Sequence, residues 1–270
     1  MGEKKEQKII VFITFTPNDK NLILNGIKLA SIFRKELCLT CHLKKNQYKR
    51  IHQFKKKLID YTLPVNKEIP ALKTSVVLLQ ERMQMIPQVL ADDHEAIMLV
   101  ADSLHYKIFA KAMITSPVPI LFVNGQTPVS SFKKIILPVD LRKGNSDCAL
   151  WCSWFGKYNH SEITVIAAQD KNKDAQKRVT HNILTAKRLF QKLQITHQIY
   201  KGTKNSLQNS FETRDFAESN HFNLLVLLGS SLITPLDWLL GLPEKKIIKN
   251  SSLLPVLLIN SRRDNYMLCE

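Results

Sequence analysis

Hydrophobic residues along the chain occur in short continuous runs that alternate with longer amphipathic stretches. The segment 223–260 shows this most clearly: an aliphatic run at 224–228 stops at Gly229, a helical pattern follows, and a second aliphatic run covers 255–259. Continuous aliphatic runs are typical of strands that are buried on both faces of a parallel sheet. The segment therefore predicts a βαβ unit, with Gly229 at the carboxyl end of a strand, where open α/β sheets bind ligands.

The same order of runs occurs twice in the chain. Three pairs of segments resemble each other: 9–15 and 135–141, 94–103 and 221–230, and 116–124 and 253–260. Similar segments that recur in the same order indicate a duplicated structural unit. We therefore predict two tandem α/β domains, residues 1–126 and residues 132–270, joined by a segment rich in turn-forming residues.

The periodicity predicts the same order of elements in both domains. In the first domain the predicted strands are 8–15, 37–43, 71–79, 97–102 and 119–123, and the predicted helices are 19–34, 46–60, 82–93 and 105–115. In the second domain the predicted strands are 133–140, 161–168, 196–201, 223–228 and 255–260, and the predicted helices are 145–157, 171–193, 206–219 and 237–250. Alternating strands and helices predict a parallel sheet that is covered by helices on both faces.

Composition indicates the surroundings in which the protein works. No apolar run approaches the ~20 residues of a membrane-spanning helix. The N-terminal apolar segment is short and β-branched, which predicts a first strand and not a signal peptide. The five cysteines, an odd number, fit a reducing compartment. We therefore expect a cytoplasmic protein that is not bound to a membrane.

The cysteines do not predict a metal or redox site. Cys38 and Cys41 are three residues apart in a predicted strand, so their side chains face opposite sides of the sheet. Together with His42 they lack a fourth ligand for zinc. Cys148 and Cys152 are four residues apart on a predicted helix, which is a common spacing in a core. We expect all five cysteines to be structural and no residue to bind a metal.

Charge points to anionic partners. The net charge is +16, and such a surface attracts nucleic acids, phosphorylated ligands and acidic lipids. The densest basic segment, 44–57, carries seven Lys and Arg residues and no Asp or Glu. Its apolar residues recur every three or four positions, which predicts an amphipathic helix. The basic face has two interpretations: a solvated helix surface, or a surface that contacts nucleic-acid phosphates without reading the base sequence.

The second domain resembles the universal stress protein family in its first strand, at 134–140, and in its last two strands, at 225–230 and 255–258. The resemblance covers essentially the whole chain, as the tandem two-domain form of that family. It implies a doubly wound five-stranded parallel sheet in each domain, Rossmann-like and similar to the adenine nucleotide alpha hydrolases. In the family's nucleotide-binding members, an Asp that ends the first strand contacts the nucleoside. A loop of the form Gly-x2-Gly-x9-Gly, followed by Ser or Thr, surrounds the phosphates.

The resemblance implies a candidate nucleotide site in the second domain. Its residues are Pro138, Val139, Asp140, Ala167, Gly229, Ser230, Ser231 and Gly241. Asp140 stands at the position of the family's aspartate, and Gly229 stands at the position of the first glycine. Phosphate loops need glycines because the backbone must approach the anion closely and point its N–H groups at it.

The phosphate loop of the second domain departs from the family pattern. Leu232 occupies the second glycine position, and the third glycine, Gly241, comes one residue early. Pro243 then stands where the family offers a backbone N–H group, which proline lacks. The remaining donors for a phosphate are the hydroxyl groups of nearby serine and threonine residues and the ammonium groups of nearby lysines. The sequence therefore predicts weak or absent ATP binding in this domain.

The first domain departs further. Thr14 replaces the aspartate, and Asp102 replaces the first glycine. The connection 103–119 is nine residues shorter than its counterpart 230–255, and nine residues are the length of a phosphate loop. Asp102 would also place a negative charge where a phosphate should bind, and the two would repel each other. We expect no nucleotide in this domain.

These observations support one leading hypothesis and two alternatives. The sequence shows no nucleophile with a base and no paired carboxylates at catalytic spacing, so we expect a non-enzymatic stress-response or regulatory binding module without a bound cofactor. The first alternative is that the second domain binds ATP or another adenine nucleotide beside Asp140. The second alternative is a nucleic-acid or anion binder that acts through its basic surface. Asp140 also has a simpler interpretation, as the cap of the turn that follows its strand.

The resemblance also implies partners. It implies that the two domains pair with each other through their last strands, 119–123 and 255–259. It further implies a homodimer. An anionic ligand is the remaining expected partner.

Overall fold

The chain folds into two compact α/β units, and the boundary between them falls between Val129 and Ser130. This boundary lies within the segment that separates the two predicted domains. The computed structural model describes residues 6–125, 129–230, 242–251 and 253–261.

The first unit alternates strands and helices. Its strands are β1 (Lys8–Phe12), β2 (Glu36–His42), β3 (Thr74–Leu79), β4 (Ala96–Asp102) and β5 (Ile120–Val123). Its α-helices are α1 (Asp19–Phe33), α2 (Ile51–Glu68), α3 (Ile86–His94), α4 (Tyr106–Phe109) and α5 (Ala112–Thr115). Short 3-10 segments precede α2, α3 and α4 at Lys45–Arg50, Met83–Met85 and Ser103–His105. The strands pair in parallel in the order β3-β2-β1-β4-β5.

The second unit repeats this arrangement. Its strands are β6 (Lys134–Val139), β7 (Glu162–Ala167), β8 (His197–Lys201), β9 (Leu224–Leu228) and β10 (Val256–Ile259). Its described α-helices are α6 (Asn145–Asn159), α7 (Lys173–Lys192), α8 (Asn209–Ser219) and α9 (Pro243–Asn250). The strands pair in parallel in the order β8-β7-β6-β9-β10. The predicted fold class, two tandem doubly wound five-stranded parallel sheets, is confirmed.

The fourth strand of each unit, an inner strand, is buried along its whole length. Every residue of β4 and of β9 is buried, as the aliphatic runs predict for strands that are covered on both faces. The outer strand β8 contains only half-buried and exposed residues. Since burying one aliphatic side chain contributes about 1.5–3 kcal/mol, the central strands hold the loops at their carboxyl ends in fixed positions.

The predicted helix 46–60 is wrong at both ends. It begins as a 3-10 segment, and α2 then continues to Glu68 through Pro64. A proline inside a helix costs about 3 kcal/mol or more, because it removes a hydrogen bond and clashes with the preceding turn. The buried positions of α2, Leu58, Thr62 and Val65, continue on both sides of the proline. Packing of this face therefore outweighs the local preference for a helix end.

The predicted helix 105–115 is interrupted. The helices α4 and α5 have four residues each, and Ala110 and Lys111 separate them. Phe109, the last residue of α4, packs against Phe12 and Phe122, with ring centroids 4.8 and 6.4 Å away. This aromatic packing accompanies the break, and it is not visible in the periodicity. The part of the predicted helix 237–250 that the structure describes is α9, and residues 237–241 lie outside the described residues.

Candidate functional site

A cavity of about 440 Å³ opens at the carboxyl ends of β6 and β9 in the second unit. Three predicted site residues line it: Asp140 directly after β6, and Gly229 and Ser230 directly after β9. Ser206 before α8 and Glu244 in the first turn of α9 also line it. These residues meet because β6 and β9 are neighbours in a parallel sheet, so their carboxyl ends lie at the same edge.

The carboxylate of Asp140 already has a full set of hydrogen-bond donors. Its Oδ1 accepts from the backbone N–H of Arg142 at 2.8 Å and from Asn145 Nδ2 at 2.9 Å. Its Oδ2 accepts from Arg142 Nε at 2.8 Å and pairs with Arg142 Nη2 at 2.7 Å. Because a carboxylate oxygen accepts about two hydrogen bonds, a nucleoside hydroxyl would have to displace one of these donors. This is the geometry of an aspartate that caps its own turn.

Arg142 places a cation in the wall of the cavity. Its Nη1 donates to the carbonyl of Leu228 at 3.2 Å, in addition to its contacts with Asp140. Burial lowers the pKa of Arg142, but Asp140 and then Glu244 raise it more, so the pKa lies above the usual value. The positive charge at this edge of the sheet is therefore balanced by acids of the chain itself.

Glu244 occupies the place of an anion beside β9. It is the second residue of α9 and is 5% exposed. Its Oε1 accepts from the backbone N–H of Ser230 at 2.8 Å, and its Oε2 accepts from the Ser230 hydroxyl at 3.3 Å. A phosphate loop uses the same kind of backbone N–H group to hold a phosphate oxygen. The carboxylate of Glu244 thus satisfies a donor that a nucleotide would need.

The conformation at Gly229 is explained by the chain's own packing. Its N–H donates to the carbonyl of Ile259 at 2.7 Å. A Cβ atom at this position would collide with the side-chain oxygen of Asn260. The glycine therefore permits the close approach of Asn260, whatever else the cavity contains.

Three of the other predicted site residues, Pro138, Val139 and Ala167, do not line this cavity. Pro138 and Val139 are buried in β6, where they pair with Ile166 and Ala167 of β7. Among the described residues, neither of these two nor Ala167 lines the cavity. Ser231 and Gly241 lie outside the described residues, as does Leu232.

In the first unit, the corresponding turn between the first strand and the first helix is held by a buried acid. We call this turn the corner of each unit. Asp19, the first residue of α1, is fully buried, and its Oδ1 accepts from the N–H of Thr14 at 3.1 Å and from the Thr14 hydroxyl at 3.2 Å. Its Oδ2 accepts from the N–H of Thr16 at 3.1 Å. Burial raises the pKa of the Asp19 carboxyl, although the hydrogen bonds from Thr14 and Thr16 lower it in part. The end of β1 is therefore occupied by an internal acid.

Asp102 fills the corresponding position at the end of β4. Its carboxylate accepts from the N–H of Leu104 at 2.9 Å, from Asn18 Nδ2 at 3.1 Å, and lies 3.3 Å from His105 Nδ1. It is 2% exposed. As the sequence predicts, the first unit thus has a carboxylate after its fourth strand, and this carboxylate accepts from a backbone N–H group.

The four described cysteines are buried thiols. Burial raises the pKa of Cys38 to about 11 and that of Cys41 to about 12. Burial also raises the pKa of Cys148 and of Cys152 well above the usual value. Thiols of this kind stay protonated at neutral pH and are poor nucleophiles and poor metal ligands. In the part of the chain that the structure describes, no three His, Cys, Asp or Glu side chains come together to hold a metal ion.

The basic segment 44–57 has aromatic residues that are already packed. The Phe54 ring lies 5.5 Å from that of Phe15, and Lys57 Nζ lies 5.6 Å from the centre of the Phe15 ring. The Tyr48 hydroxyl donates to the carbonyl of Gln80 at 3.0 Å. Rings engaged in this way are less available as stacking platforms for nucleic-acid bases.

Arg142 and Glu244 are the residues of the site that sequence reasoning missed. Glu244 directly follows Pro243, and a proline with an acid in the first turn is a signal for a helix start. Arg142 lies two residues after Asp140, within reach of its carboxylate. These signals predict a cap and a short-range ion pair, but they do not show that both side chains face one cavity.

The sequence of the chain matches no protein-family model, and no curated protein matches it. Solved structures match it along nearly its full length. A universal stress protein from Archaeoglobus fulgidus DSM 4304 is 14% identical, with 97% of this chain and 98% of that chain covered and a TM-score of 0.68. A candidate universal stress protein from Pseudomonas aeruginosa UCBPP-PA14 is 14% identical, with 94% and 93% covered and a TM-score of 0.62.

A third match shows that the same arrangement occurs in other settings. The cytoplasmic domain of a prokaryotic cation chloride cotransporter is 11% identical, with 97% of this chain and 98% of that chain covered and a TM-score of 0.52. None of the described helices of this chain combines the length and the apolar composition that a bilayer span requires. Identities this low establish the fold and leave function to the residues of the site. The chain has the fold of the universal stress proteins, which confirms at the level of the fold the resemblance that its sequence shows.

Proposed function

We propose that the chain is a tandem member of the universal stress protein family that acts as a non-enzymatic regulatory binding module in the stress response. In this proposal the second unit binds ATP weakly or not at all, and no cofactor is required. The fold and the order of elements support the family. The contacts around Asp140 and Ser230 support the loss of nucleotide binding.

One observation carries this proposal: the carboxylate of Glu244 accepts both the N–H and the hydroxyl of Ser230. A triphosphate that approached this N–H would meet a buried negative charge, and the repulsion between like charges in a poorly solvated site is strong. The neighbouring cation, Arg142, is engaged by Asp140 at 2.7 Å and does not offset that charge for a ligand.

Isothermal titration of the full chain with ATP and magnesium tests the proposal. We expect no ATP binding that depends on Asp140, so the heat from the wild-type protein and from an Asp140→Ala variant should be the same. Saturable binding to the wild type that Asp140→Ala abolishes would overturn the proposal and establish the first alternative, a nucleotide site in the second unit.

That alternative has one observation in its favour. The cavity of about 440 Å³ beside Asp140, Gly229 and Ser230 falls in the size range of small-molecule sites, about 300–1,000 Å³. An adenine nucleotide held there would rely on displacement of Glu244, so its affinity should rise when that acid is removed.

Pairing of the two domains through their last strands and formation of a homodimer belong to the same proposal, because the resemblance implies both. Sedimentation velocity of the full chain tests the dimer. A single species with the mass of one chain at micromolar concentration would remove the homodimer from the proposal.

A further inference from the structure

A second cavity in the second unit adjoins the cavity beside Asp140 and shares Leu141 and Lys143 with it. It has a volume of about 580 Å³ and lies between the start of α6 and the outer side of α7. We call it the cationic groove, and its charged and hydroxyl-bearing lining residues are Lys143, Ser146, Lys177, Arg178, His181 and Thr185. Both cavities are lined by the loop after β6, but the first extends to α8 and α9 and the groove extends to α7.

The lining of the cationic groove has one sign of charge. Lys143 comes from the loop after β6, and Lys177 and Arg178 come from α7. No Asp or Glu is among the described residues that line it. Asp174 lies 3.8 Å from Lys177 Nζ, and both side chains are more than 80% exposed, so this pair is weak. Within the described part of the chain, the cations of the groove therefore have no ion pair as close as that of Arg142 with Asp140.

The floor of the groove is held by contacts between the loop after β6 and α7. Asn182 Nδ2 donates to the carbonyl of Asp140 at 2.8 Å and to that of Arg142 at 2.9 Å. Leu141 packs against the buried cluster that contains Val179. These contacts join the loop after β6 to α7, so the two walls keep their spacing without a ligand.

The start of α6 adds to the attraction for an anion. Ser146 lies in the first turn of this fifteen-residue helix, at the end where the helix dipole is positive. Its hydroxyl makes only a long contact, 3.4 Å, to the carbonyl of Lys143. The hydroxyl can therefore turn toward a ligand in the groove at little cost.

In the first unit, aromatic side chains pack at the equivalent place. There Phe15 follows β1 and its ring contacts Phe54 and Tyr61 of α2, with centroids 5.5 and 6.3 Å away. Aromatic packing thus occupies the corner that the second unit leaves open and lines with cations.

We propose that the cationic groove of the second unit binds a small, multiply charged phosphate ligand, either a free chain of phosphates or the phosphate tail of a larger molecule. Three cations spread over two walls match several phosphate groups better than one. Arg and Lys side chains supply strong charge-assisted hydrogen bonds to phosphate oxygens. The groove shares Leu141 and Lys143 with the cavity beside Asp140. Lys177 and Arg178 line the groove and not that cavity, so the proposal does not depend on nucleotide binding beside Asp140.

Isothermal titration of the full chain with inorganic tripolyphosphate at low ionic strength tests this proposal. The wild type should bind one tripolyphosphate per chain, and orthophosphate should bind about tenfold more weakly or worse. A Lys177→Glu, Arg178→Glu double variant should lose about tenfold or more in affinity. The matched control is Lys187→Glu, Arg188→Glu, on the same helix and with the same change in net charge, because neither residue lines the groove.

A second variant changes a cation outside α7, so the test does not depend on the integrity of that helix. Lys143→Gln on the opposite wall should also weaken tripolyphosphate binding, by several-fold, without a change in the circular dichroism spectrum. An equal loss in both double variants would show that binding follows net charge alone and would overturn the proposal, as would no binding to the wild type or equal affinity for orthophosphate.

A parallel titration with ATP distinguishes a free chain of phosphates from the phosphate tail of a larger molecule. If the groove takes the tail of a nucleotide, ATP binding is lost in the Lys177→Glu, Arg178→Glu variant and kept in Asp140→Ala. If it takes only free phosphate chains, tripolyphosphate binds and ATP does not. ATP binding that Asp140→Ala removes would instead contradict the function proposed above and leave this groove unaffected.

Discussion

In each unit, a hydrogen bond between an acid and a donor holds the corner between the first strand and the first helix, but the two groups exchange places. In the first unit, Thr14 after β1 donates its N–H and hydroxyl to Asp19 on α1. In the second unit, Asn145 on α6 donates to Asp140 after β6. The acid therefore lies on the helix in one unit and after the strand in the other. The fold requires a donor and an acceptor at this corner but not a particular order, so an aspartate after the first strand is by itself no evidence for a ligand.

The units also place a carboxylate on the N–H groups beyond their fourth strands by different routes. In the first unit Asp102, the last residue of β4, accepts from Leu104. In the second unit the acid comes from α9, where Glu244 accepts from Ser230. In the first unit, where the connection after the fourth strand is shorter, the acid is the last residue of that strand. In the second unit, where the connection is longer, the acid comes from the helix that follows it. In both units an internal acid accepts from a backbone N–H group of the kind that a phosphate loop uses to hold a phosphate.

The largest expected effect comes from the removal of the acid at the corner of each unit, which tests how much each unit depends on it. Asp19→Ala should lower the free energy of unfolding by about 2–4 kcal/mol, because it leaves the N–H groups of Thr14 and Thr16 without an acceptor. Asp140→Ala should cost less, about 1–2 kcal/mol, because the side chain of Arg142 is 37% exposed and can turn to water. Urea unfolding followed by circular dichroism measures both.

The control for this comparison is Asp60→Ala on the exposed face of α2, which should change the free energy of unfolding by less than about 0.5 kcal/mol. A larger loss for Asp140→Ala than for Asp19→Ala would contradict the view that the corner of the first unit depends more on its acid.

A smaller expected effect is that two acids, one in each unit, change the free energy of unfolding in opposite directions as the pH falls. Burial raises the pKa of Asp19, so the folded state gains stability from this group as pH falls from the raised pKa toward 3.8. Burial also raises the pKa of Glu212 in the second unit, but hydrogen bonds from Thr203 and Lys204 outweigh it, and the net pKa is lowered. The stability that Glu212 provides is therefore present above 4.5 and is lost as pH falls through the lowered pKa.

Urea midpoints of wild type, Asp19→Asn and Glu212→Gln between about pH 6 and pH 3 measure this difference. On acidification, the stability of the wild type relative to Asp19→Asn should rise, and that relative to Glu212→Gln should fall. The effect of Asp19 should amount to about 1.4 kcal/mol for every unit by which its pKa is shifted. The effect of Glu212 should be smaller per unit, because solvent screens this largely exposed carboxylate. A change of the same sign for both variants would contradict the assignment.

Much of the fold could be predicted from the sequence because burial on two faces leaves a simple pattern. The aliphatic run of β9 predicts Leu224–Leu228 within one residue, and the amphipathic period of α7 predicts Lys173–Lys192 within two. Packing that overrides local preference could not be predicted in this way. Pro64 lies inside α2, and the ring of Phe109 accompanies the break between α4 and α5.

The site was predictable only in part, for a related reason. The strand ends place Asp140, Gly229 and Ser230 at one edge because the strand order fixes which carboxyl ends are neighbours. The contact between Glu244 and Ser230 joins residues that are fourteen apart and depends on the entry angle of α9. No periodicity encodes that angle, so the residue that decides the chemistry of the cavity becomes visible only in three dimensions.

The most direct measurement of the central claim is the amide resonance of Ser230 during a titration with inorganic pyrophosphate. The claim is that the carboxylate of Glu244 occupies the anion position of the second unit. The amide of Ser230 should therefore stay unchanged in the wild type and should shift saturably in a Glu244→Ala variant with a well-dispersed spectrum. A saturable shift of the same amide in the wild type, with an affinity equal to that of the variant, would contradict the claim.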